Sequence, residues 1–458
     1  MLREKLFGTN AVKLLSAALA AMIVVSSAAG CSDESSGSYS SDNTPSEEEN
    51  IDLGGRTITY MTWWEEPVQG SNQQAVEYWE TKTKVEEKYN CKFNFAYASE
   101  SGWQSKVTAS ILSGDPICDV FSTEYEYFYG MNKSGLLYPV SDLKNFDFSD
   151  SSKWWAPGME YSNVDGKQYG MCLSGGEFSL ILYNKDLLKK NNQPDLYELQ
   201  KSGELTWKRI VEIAKACTDS SRGIYGMAPS QFPRDLLYLV GEAYGGKIVT
   251  RKGNTADFEC TVNSTEMVNG FSDVNKWYSV DKMVLPCNGD YKDSFTKFKS
   301  GNVAMIFGVT PPTYYSNYGF ELGACLVPAG RDATTFEPFL NLSSGTLSFI
   351  PACADKPEEI ALVWNEIGAK TGRVNWEIYY QDYLSDDIME CLYQSIDYTN
   401  EKKYSIDYGY SLLSLWQNNN TLFDTTTKFV SGSNSAASFI QSIENIYGAK
   451  ILDMKASK

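Results

Sequence analysis

The spacing of hydrophobic and polar positions changes along the chain in a way that predicts alternating strands and helices. Residues 56–61 alternate and are rich in β-branched side chains, which predicts a strand, and residues 91–97 alternate again with Phe93, Phe95 and Tyr97 on one face. Between these two segments, residues 74–89 are charged, with a modest apolar side that predicts a helix. A strand, a helix and a strand in this order indicate a βαβ unit and a parallel sheet.

A second transition from strand to helix lies near the middle of the chain. Leu180 to Tyr183 form an apolar run between turn signals, which predicts a buried strand. Asn184-Lys185-Asp186 ends the strand, and we expect Asp186 to cap the helix that follows. Three later helices are predicted from apolar residues spaced three and four apart: Trp207, Ile210, Val211 and Ala214; Ile360, Val363, Trp364 and Ile367; and Phe439, Ile440, Ile443, Tyr447 and Ile451.

The first thirty residues have the pattern of a secretory signal peptide. Arg3, Lys5 and Lys13 precede an apolar segment, and small residues lead to Cys31. The ending Ala28-Ala29-Gly30-Cys31 resembles a bacterial lipobox, which implies a lipidated Cys31; an uncleaved membrane anchor is the alternative. Residues 31–50 contain almost no apolar side chain and are expected to form a flexible tether.

Composition narrows the possible functions. Aromatic residues make up 14% of the 458 residues, which suits surfaces that bind sugar rings, although most such rings belong to cores. The formal net charge of −18 argues against nucleic acid and against anionic lipid headgroups as partners. The chain has no His, so His-dependent catalysis and His-ligated metals are excluded, and its ten scattered Cys fit neither a zinc ribbon nor a disulfide framework. No metal and no cofactor are expected.

Several motifs occur in the order found in one known family. The segments DGKQYG (165–170), LILYNKDLL (180–188) and TWKRIVEIAKACT (206–218), followed by FKSGNVAM (298–305), resemble family 1 extracellular solute-binding proteins, the sugar-capturing lipoproteins of ABC importers. One departure is Met171-Cys172-Leu173, where the family's usual Pro is missing.

The resemblance implies a fold and a domain arrangement. The expected fold is α/β, two-lobed and of the periplasmic-binding-protein type II, with a mainly parallel sheet flanked by helices in each lobe and a ligand cleft between the lobes. Lobe one is expected to comprise residues 51–175 and 343–395, and lobe two residues 176–342 and 396–458.

The implied function is capture of a carbohydrate, with an oligosaccharide favoured, by hinge closure. The implied partners are the ligand and the permease subunits of an ABC transporter. The protein is expected to be a monomer without catalytic residues, anchored by lipid on the outer face of a Gram-positive type of membrane. A polyamine or peptide binder of the same fold remains an alternative, and so does a glycoside hydrolase that uses two carboxylates.

Candidate ligand-binding residues are chosen by position, because ligands of open α/β sheets bind beyond the carboxyl ends of strands. Carboxylates can hold hydroxyl groups, and aromatic rings can stack on sugar faces. The candidates are Trp63, Trp64 and Glu65 after the first strand; Glu124, Tyr125 and Glu126 after the third; Glu177 and Phe178 at the crossover; and Arg234, Tyr244, Thr310 and Trp416 further along.

Overall fold

The computed structural model describes most of the chain beyond the predicted tether. The described residues are 51–99, 101–144, 148, 150, 153–173, 179–286, 293–309, 318–340, 346–371, 385–409 and 420–456. The predicted signal peptide, the predicted tether and five predicted functional residues lie outside them; the five are Cys31, Glu177, Phe178, Thr310 and Trp416.

Strands and helices alternate along the described chain. The strands are β1 (Arg56–Thr62), β2 (Cys91–Tyr97), β3 (Val120–Glu124), β4 (Asn163–Val164), β5 (Lys167–Gln168), β6 (Leu180–Asn184), β7 (Tyr225–Pro229), β8 (Val249–Arg251), β9 (Phe258–Cys260), β10 (Val303–Val309), β11 (Leu322–Pro328), β12 (Pro338–Phe339) and β13 (Thr346–Phe349). The helices are α1 (Gln73–Tyr89), α2 (Trp103–Leu112), α3 (Phe128–Lys133), α4 (Ala156–Tyr161), α5 (Lys185–Lys190), α6 (Leu196–Lys201), α7 (Trp207–Ala216), α8 (Pro233–Ala243), α9 (Thr265–Ser279), α10 (Asp293–Lys299), α11 (Pro357–Thr371), α12 (Asp386–Asn400), α13 (Asn420–Val430) and α14 (Ala436–Ala456).

The first sheet has the strand order β13-β3-β1-β2. β1 pairs in parallel with β2 and with β3, so the βαβ unit predicted for residues 56–97 is confirmed, and β13 runs antiparallel to β3. Ile58 and Tyr60 are buried, since alternate residues of a strand face the same side. Trp364 of α11 covers Tyr60 with a ring-centroid distance of 4.7 Å, which fixes α11 on this sheet.

The second sheet has the order β12-β11-β6-β10-β7. β7 and β10 are parallel, while β6 lies between β10 and β11 and runs antiparallel to both. β7, β10 and β11 therefore share one direction, and their carboxyl ends lie at one edge of a mixed sheet. Leu180 to Tyr183 are fully buried in β6, as the apolar run predicts.

The described chain passes between the two sheets at three places. It leaves the first sheet after Leu173 and joins the second at Leu180, and it returns between β12 and β13. The third passage lies between α11, which packs on α1, and α12, which packs on β11. Because the Cys391 thiol of α12 donates to the Ala324 carbonyl of β11 (3.4 Å), we propose that the last part of lobe two begins near residue 385, not at 396.

The start of α5 differs from the prediction. The helix begins at Lys185, and the side chain of Asn184 caps it by accepting the Leu187 amide (2.9 Å). Asp186, the predicted cap, lies inside the first turn, where its charge suits the positive end of the helix. The prediction was therefore wrong by two residues, because the strand's last residue already has the extended backbone that a cap requires.

The three predicted apolar helix faces are buried, except for single residues that are only half-buried. In α7, Ile213 is buried beside Ile210, whereas the predicted Val211 is only half-buried. The predicted apolar positions of α11 are all buried, and so are those of α14 except Ile440, which is only half-buried. In the part of the chain that the structure describes, no helix combines the length and the apolar character needed to cross a bilayer.

One polar and aromatic contact joins the two halves of the fold beside the sheets. Arg251 of β8 reaches helix α3 and strand β4, where its guanidinium donates to the Tyr129 hydroxyl (3.0 Å) and to the Asn163 carbonyl (2.9 Å). The Tyr408 ring lies under the guanidinium at 5.1 Å and stacks on Tyr161 at 5.5 Å. We call these five residues the Arg251 joint.

Candidate functional site

Two segments that carry predicted site residues meet at one edge of the first sheet. β1 and β3 are parallel neighbours, with Tyr60 opposite Val120 and Met61 opposite Phe121. Their carboxyl ends therefore lie side by side, and the residues that follow, 63–66 and 124–126, come to the same edge. This edge is the position at which α/β sheets bind ligands.

The two tryptophans after β1 form a perpendicular pair. The rings of Trp63 and Trp64 lie 4.8 Å apart at an interplanar angle of 81°, and both residues are half-buried. Trp64 also meets the ring of the buried Tyr60 at 6.3 Å, so the pair rests on the core. Neither ring is fully covered, whereas the neighbouring Glu65 is exposed. The pair thus offers an anchored aromatic surface with a carboxylate beside it.

The next residue, Glu66, is occupied by its own helix. Its carboxylate accepts a hydrogen bond from the Tyr78 hydroxyl (2.6 Å) and pairs with Lys82 (2.8 Å). The Trp79 indole N–H donates to the Pro67 carbonyl (2.8 Å). These three contacts fix the segment that carries the tryptophan pair on α1, so Glu66 positions the edge and its carboxylate is already paired.

The residues after β3 divide between surface and core. Glu124 and Glu126 are half-buried, and Glu124 accepts the hydroxyl of Thr123 (3.1 Å). Tyr125, by contrast, is only 6% exposed; its ring packs on Tyr161 at 4.8 Å and its hydroxyl lies 3.7 Å from the Cys172 thiol. Burial raises the pKa of the Tyr125 hydroxyl well above its usual value. Its place in the core argues against the predicted ligand contact.

The second sheet contributes Arg234 at the carboxyl ends of β7 and β10. These strands end side by side, with Pro229 opposite Phe307. Arg234 lies in the first turn of α8 directly after β7, not in a loop as the sequence suggested. Its side chain is 8% exposed, its Nε pairs with Asp235 at 3.4 Å, and its guanidinium lies over the Phe232 ring at 4.9 Å.

Tyr244, at the carboxyl end of α8, is used in packing. The residue is 9% exposed, its hydroxyl donates to Asp273 (3.1 Å), and its ring meets the edge of Trp207 at 5.8 Å. Burial and the Asp273 carboxylate raise the pKa of the Tyr244 hydroxyl. The predicted ligand contact at Tyr244 is therefore not supported by its position.

The structure thus groups the described candidates into two sets. Trp63, Trp64, Glu65, Glu124 and Glu126 share the edge of the first sheet, and Arg234 lies at the edge of the second. No direct contact joins Arg234 to the first set in the described ranges. Sequence reasoning missed Asp235, although Pro233 and an acidic residue two positions later are a helix-start signal.

Comparison with known proteins gives one family and a consistent fold. The model of a family described as bacterial extracellular solute-binding protein matches residues 57–364. None of the curated proteins is similar enough in sequence to match the chain.

Among solved structures, the chain is similar to the ABC substrate-binding protein Lmo0181 from Listeria monocytogenes in complex with cycloalternan, with 20% identity, a TM-score of 0.57, and coverage of 86% of this chain and 99% of that one. It is also similar to a cyclo/maltodextrin-binding protein complexed with maltotetraose, at 16% identity, TM-score 0.61, and 87% and 97% coverage. A third is the maltose-maltodextrin binding protein of Alicyclobacillus acidocaldarius, at 16% identity, TM-score 0.57, and 85% and 100% coverage. At these identities the similarity establishes the two-lobed fold.

Proposed function

The chain belongs to the family of bacterial extracellular solute-binding proteins, and we propose that its solute is a carbohydrate, specifically an oligosaccharide. In this proposal the two lobes close around the sugar, and the loaded protein delivers it to the permease of an ABC transporter. The protein acts as a monomer and binds its ligand without changing it.

The observation that carries the proposal is the tryptophan pair. Trp63 and Trp64 are half-buried at the carboxyl edge of the first sheet, where Glu65 follows them in sequence and Glu124 and Glu126 follow the neighbouring strand. Indole faces stack on the C–H faces of pyranose rings, while carboxylates accept hydrogen bonds from the hydroxyls. This combination suits a neutral sugar better than an apolar or anionic solute.

The saccharides bound by the proteins of similar fold support this choice of ligand. Two further features weigh against the alternatives. Polyamine binding would need several unpaired carboxylates, and Glu66 is already paired with Lys82. Catalysis of glycoside hydrolysis would need two carboxyl groups flanking the bond that is cleaved, and we assign no such pair.

We further propose that the protein is held at the outer face of the membrane. Cys31 would carry the lipid, and residues 32–50 would form the tether. Replacing Cys31 with Ala should move the protein from the membrane fraction into the culture medium. Retention of Cys31→Ala in the membrane would instead support an uncleaved amino-terminal anchor.

The ligand proposal is tested by calorimetry on the full chain purified in detergent. The titrants are neutral gluco-, manno- and xylo-oligosaccharides, including maltotetraose, with spermidine, peptides and amino acids as comparison solutes. We expect one saccharide series to bind and to be recovered intact by chromatography. Binding of spermidine or peptides alone would overturn the carbohydrate proposal, and release of shorter sugars would restore the hydrolase.

Variants then test the site. Trp63→Ala and Trp64→Ala should each weaken saccharide binding by about tenfold, because each removes a stacking surface. The matched control is Tyr393→Ala, since Tyr393 is a 47% exposed aromatic residue on α12. Equal losses in the control and in the tryptophan variants would show that the tryptophan pair is not the binding surface.

A further inference from the structure

The side chain of Arg234 is held rigidly but uses only part of its hydrogen-bonding capacity. Its Nε donates to Asp235 (3.4 Å), and one face of the guanidinium lies over the Phe232 ring. In the described part of the chain, no acceptor lies within hydrogen-bond distance of its two terminal amino groups. The side chain is only 8% exposed, yet its terminal nitrogens are not among the buried polar atoms that lack a partner, so solvent reaches them and they are open to a partner from outside the chain.

The neighbours of Arg234 are themselves fixed. Asp235 accepts the backbone amide of Phe232 (2.8 Å) and the hydroxyl of Ser230 (3.4 Å), and the Phe232 ring meets Phe423 of α13 edge-on at 5.6 Å. The guanidinium is therefore supported along its Nε side and on one face. The terminal amino groups form the remaining edge, a planar fork with two parallel donors.

The position of Arg234 does not favour the stability of the fold. Arg234 occupies the second position of α8, where the positive end of the helix dipole repels a cation. β7 and β10 end beside Arg234. The backbone of β10 passes close to the residues before α8, because a Cβ on Gly308 would lie 3.5 Å from the Ser230 hydroxyl. A buried cation in a locally unfavourable place, at the strand ends where ligands bind, is characteristic of a functional group.

We infer that the terminal amino groups of Arg234 bind two adjacent hydroxyl oxygens of the sugar, and that Asp235 and Phe232 position them for this role. The inference rests on the proposed function and names the ligand chemistry at this point of the cleft: an uncharged vicinal diol. The two parallel donors match two neighbouring oxygens, as they match those of a carboxylate.

Charge selects the diol over a uronic acid. The Asp235 carboxylate already lies beside the guanidinium, so a sugar carboxylate would place a second anion on the same cation. The chain as a whole is also acidic, with a formal net charge of −18, which disfavours an anionic ligand in general. A neutral diol uses both donors and adds no charge.

The test titrates the full chain with the neutral oligosaccharides above and with tetragalacturonic acid. Arg234→Lys keeps the charge and loses the fork, so it should bind the neutral sugar at least about tenfold more weakly, and Arg234→Met should bind no better. Arg209→Lys is the matched control, because Arg209 is an exposed arginine of α7 paired with Glu212. For the wild type, raising sodium chloride from roughly 50 to 500 mM should change the affinity by less than about twofold.

The role of Asp235 is tested by a double-mutant cycle. Asp235→Asn should weaken binding when Arg234 is present and should have no further effect in Arg234→Lys, since a positioning residue acts only through the group that it positions. Independent, additive losses would show that Asp235 does not act through Arg234.

The outcomes separate the inference from the proposed function. If a neutral saccharide binds wild type and both Arg234 variants equally, the inference fails while the proposed function stands. Preference for tetragalacturonic acid, with affinity lost in salt, would overturn the diol and keep a saccharide ligand. If no saccharide binds, the proposed function fails and the assignment of Arg234 fails with it.

Discussion

Replacing Arg251 with Met would remove the centre of the Arg251 joint. The side chain connects the β8–β9 hairpin, which packs on α14, with α3 and α4 beside the first sheet. None of its partners is a carboxylate in the described chain; they are carbonyls, a hydroxyl and an amide oxygen. Met fills a similar volume, so the variant removes hydrogen bonds and charge without opening a large cavity.

The magnitude follows from the best-directed contacts. The hydrogen bonds to the Asn163 carbonyl (2.9 Å) and to the Tyr129 hydroxyl (3.0 Å) have a charged donor. Because the Arg251 side chain is only half-buried, we take the lower end of the usual range for such bonds, about 1.5 kcal/mol each. The cation over the Tyr408 ring adds about 0.5–1 kcal/mol. Met recovers some apolar contact, so we expect Arg251→Met to lower the free energy of unfolding by roughly 2–4 kcal/mol.

Differential scanning calorimetry of the ligand-free chain measures this effect. In a chain of this length, the loss corresponds to a decrease in Tm of roughly 2–5 °C. The transition should also broaden, because the joint couples the two halves of the fold and its loss weakens two-state behaviour. Arg209→Met, the exposed control, should change the stability by less than about 0.5 kcal/mol. An Arg251→Met transition within about 1 °C of the wild type and unchanged in shape would refute the reasoning.

Three further predictions concern packing, pH and the core. Gly270→Ala should lower the free energy of unfolding by about 2 kcal/mol or more in urea denaturation, because the new Cβ would lie 2.5 Å from the backbone of Gly241. Gly448→Ala, whose new Cβ meets nothing within 4 Å, should raise the free energy of unfolding by about 0.5–1 kcal/mol. Equal effects of the two substitutions would contradict this prediction. Burial raises the pKa of Asp407 from 3.8 to about 6. The native state therefore binds more protons than the unfolded state in this range, so the stability of the wild type relative to Asp407→Asn should fall as pH rises from about 4 to 6; a rise would reverse the assignment. Tyr125→Phe should leave saccharide affinity within about twofold by calorimetry, since a core residue lies away from the ligand; a larger loss would return Tyr125 to the site.

Elements whose signal is local could be predicted from the sequence. The strand predicted at 91–97 is β2 with the same bounds, although Tyr97 at its end is exposed. The apolar positions of α11 are buried as their spacing requires, and so are those of α14 except the half-buried Ile440. In each case the element buries one face, and this burial produces the period of apolar residues in the sequence, so the period predicts the face. The family motifs added the two-lobed fold, because their order along the chain reflects the order in which the strands are used.

The candidate site could be predicted only in part, because side-chain partners are distant in sequence. Tyr125 follows the end of strand β3 and Tyr244 the end of helix α8, yet their hydroxyls meet Cys172, 47 residues away, and Asp273, 29 residues away. An aromatic residue near a strand end can face either solvent or core, and the sequence around it is the same in both cases. The choice is made by residues that only the fold brings close.

Arg234 shows how local and global information combine. The local signal was present: Pro233 and Asp235 at the start of a helix place the arginine in its first turn, next to an acidic side chain. What makes Arg234 informative is that no other acceptor reaches its terminal amino groups in the described chain, and this depends on every element packed around α8. Donors that reach solvent and have no acceptor in the described chain are free to bind a ligand, so under the proposed function the packing around α8 leaves open the edge of the guanidinium that the sugar would use.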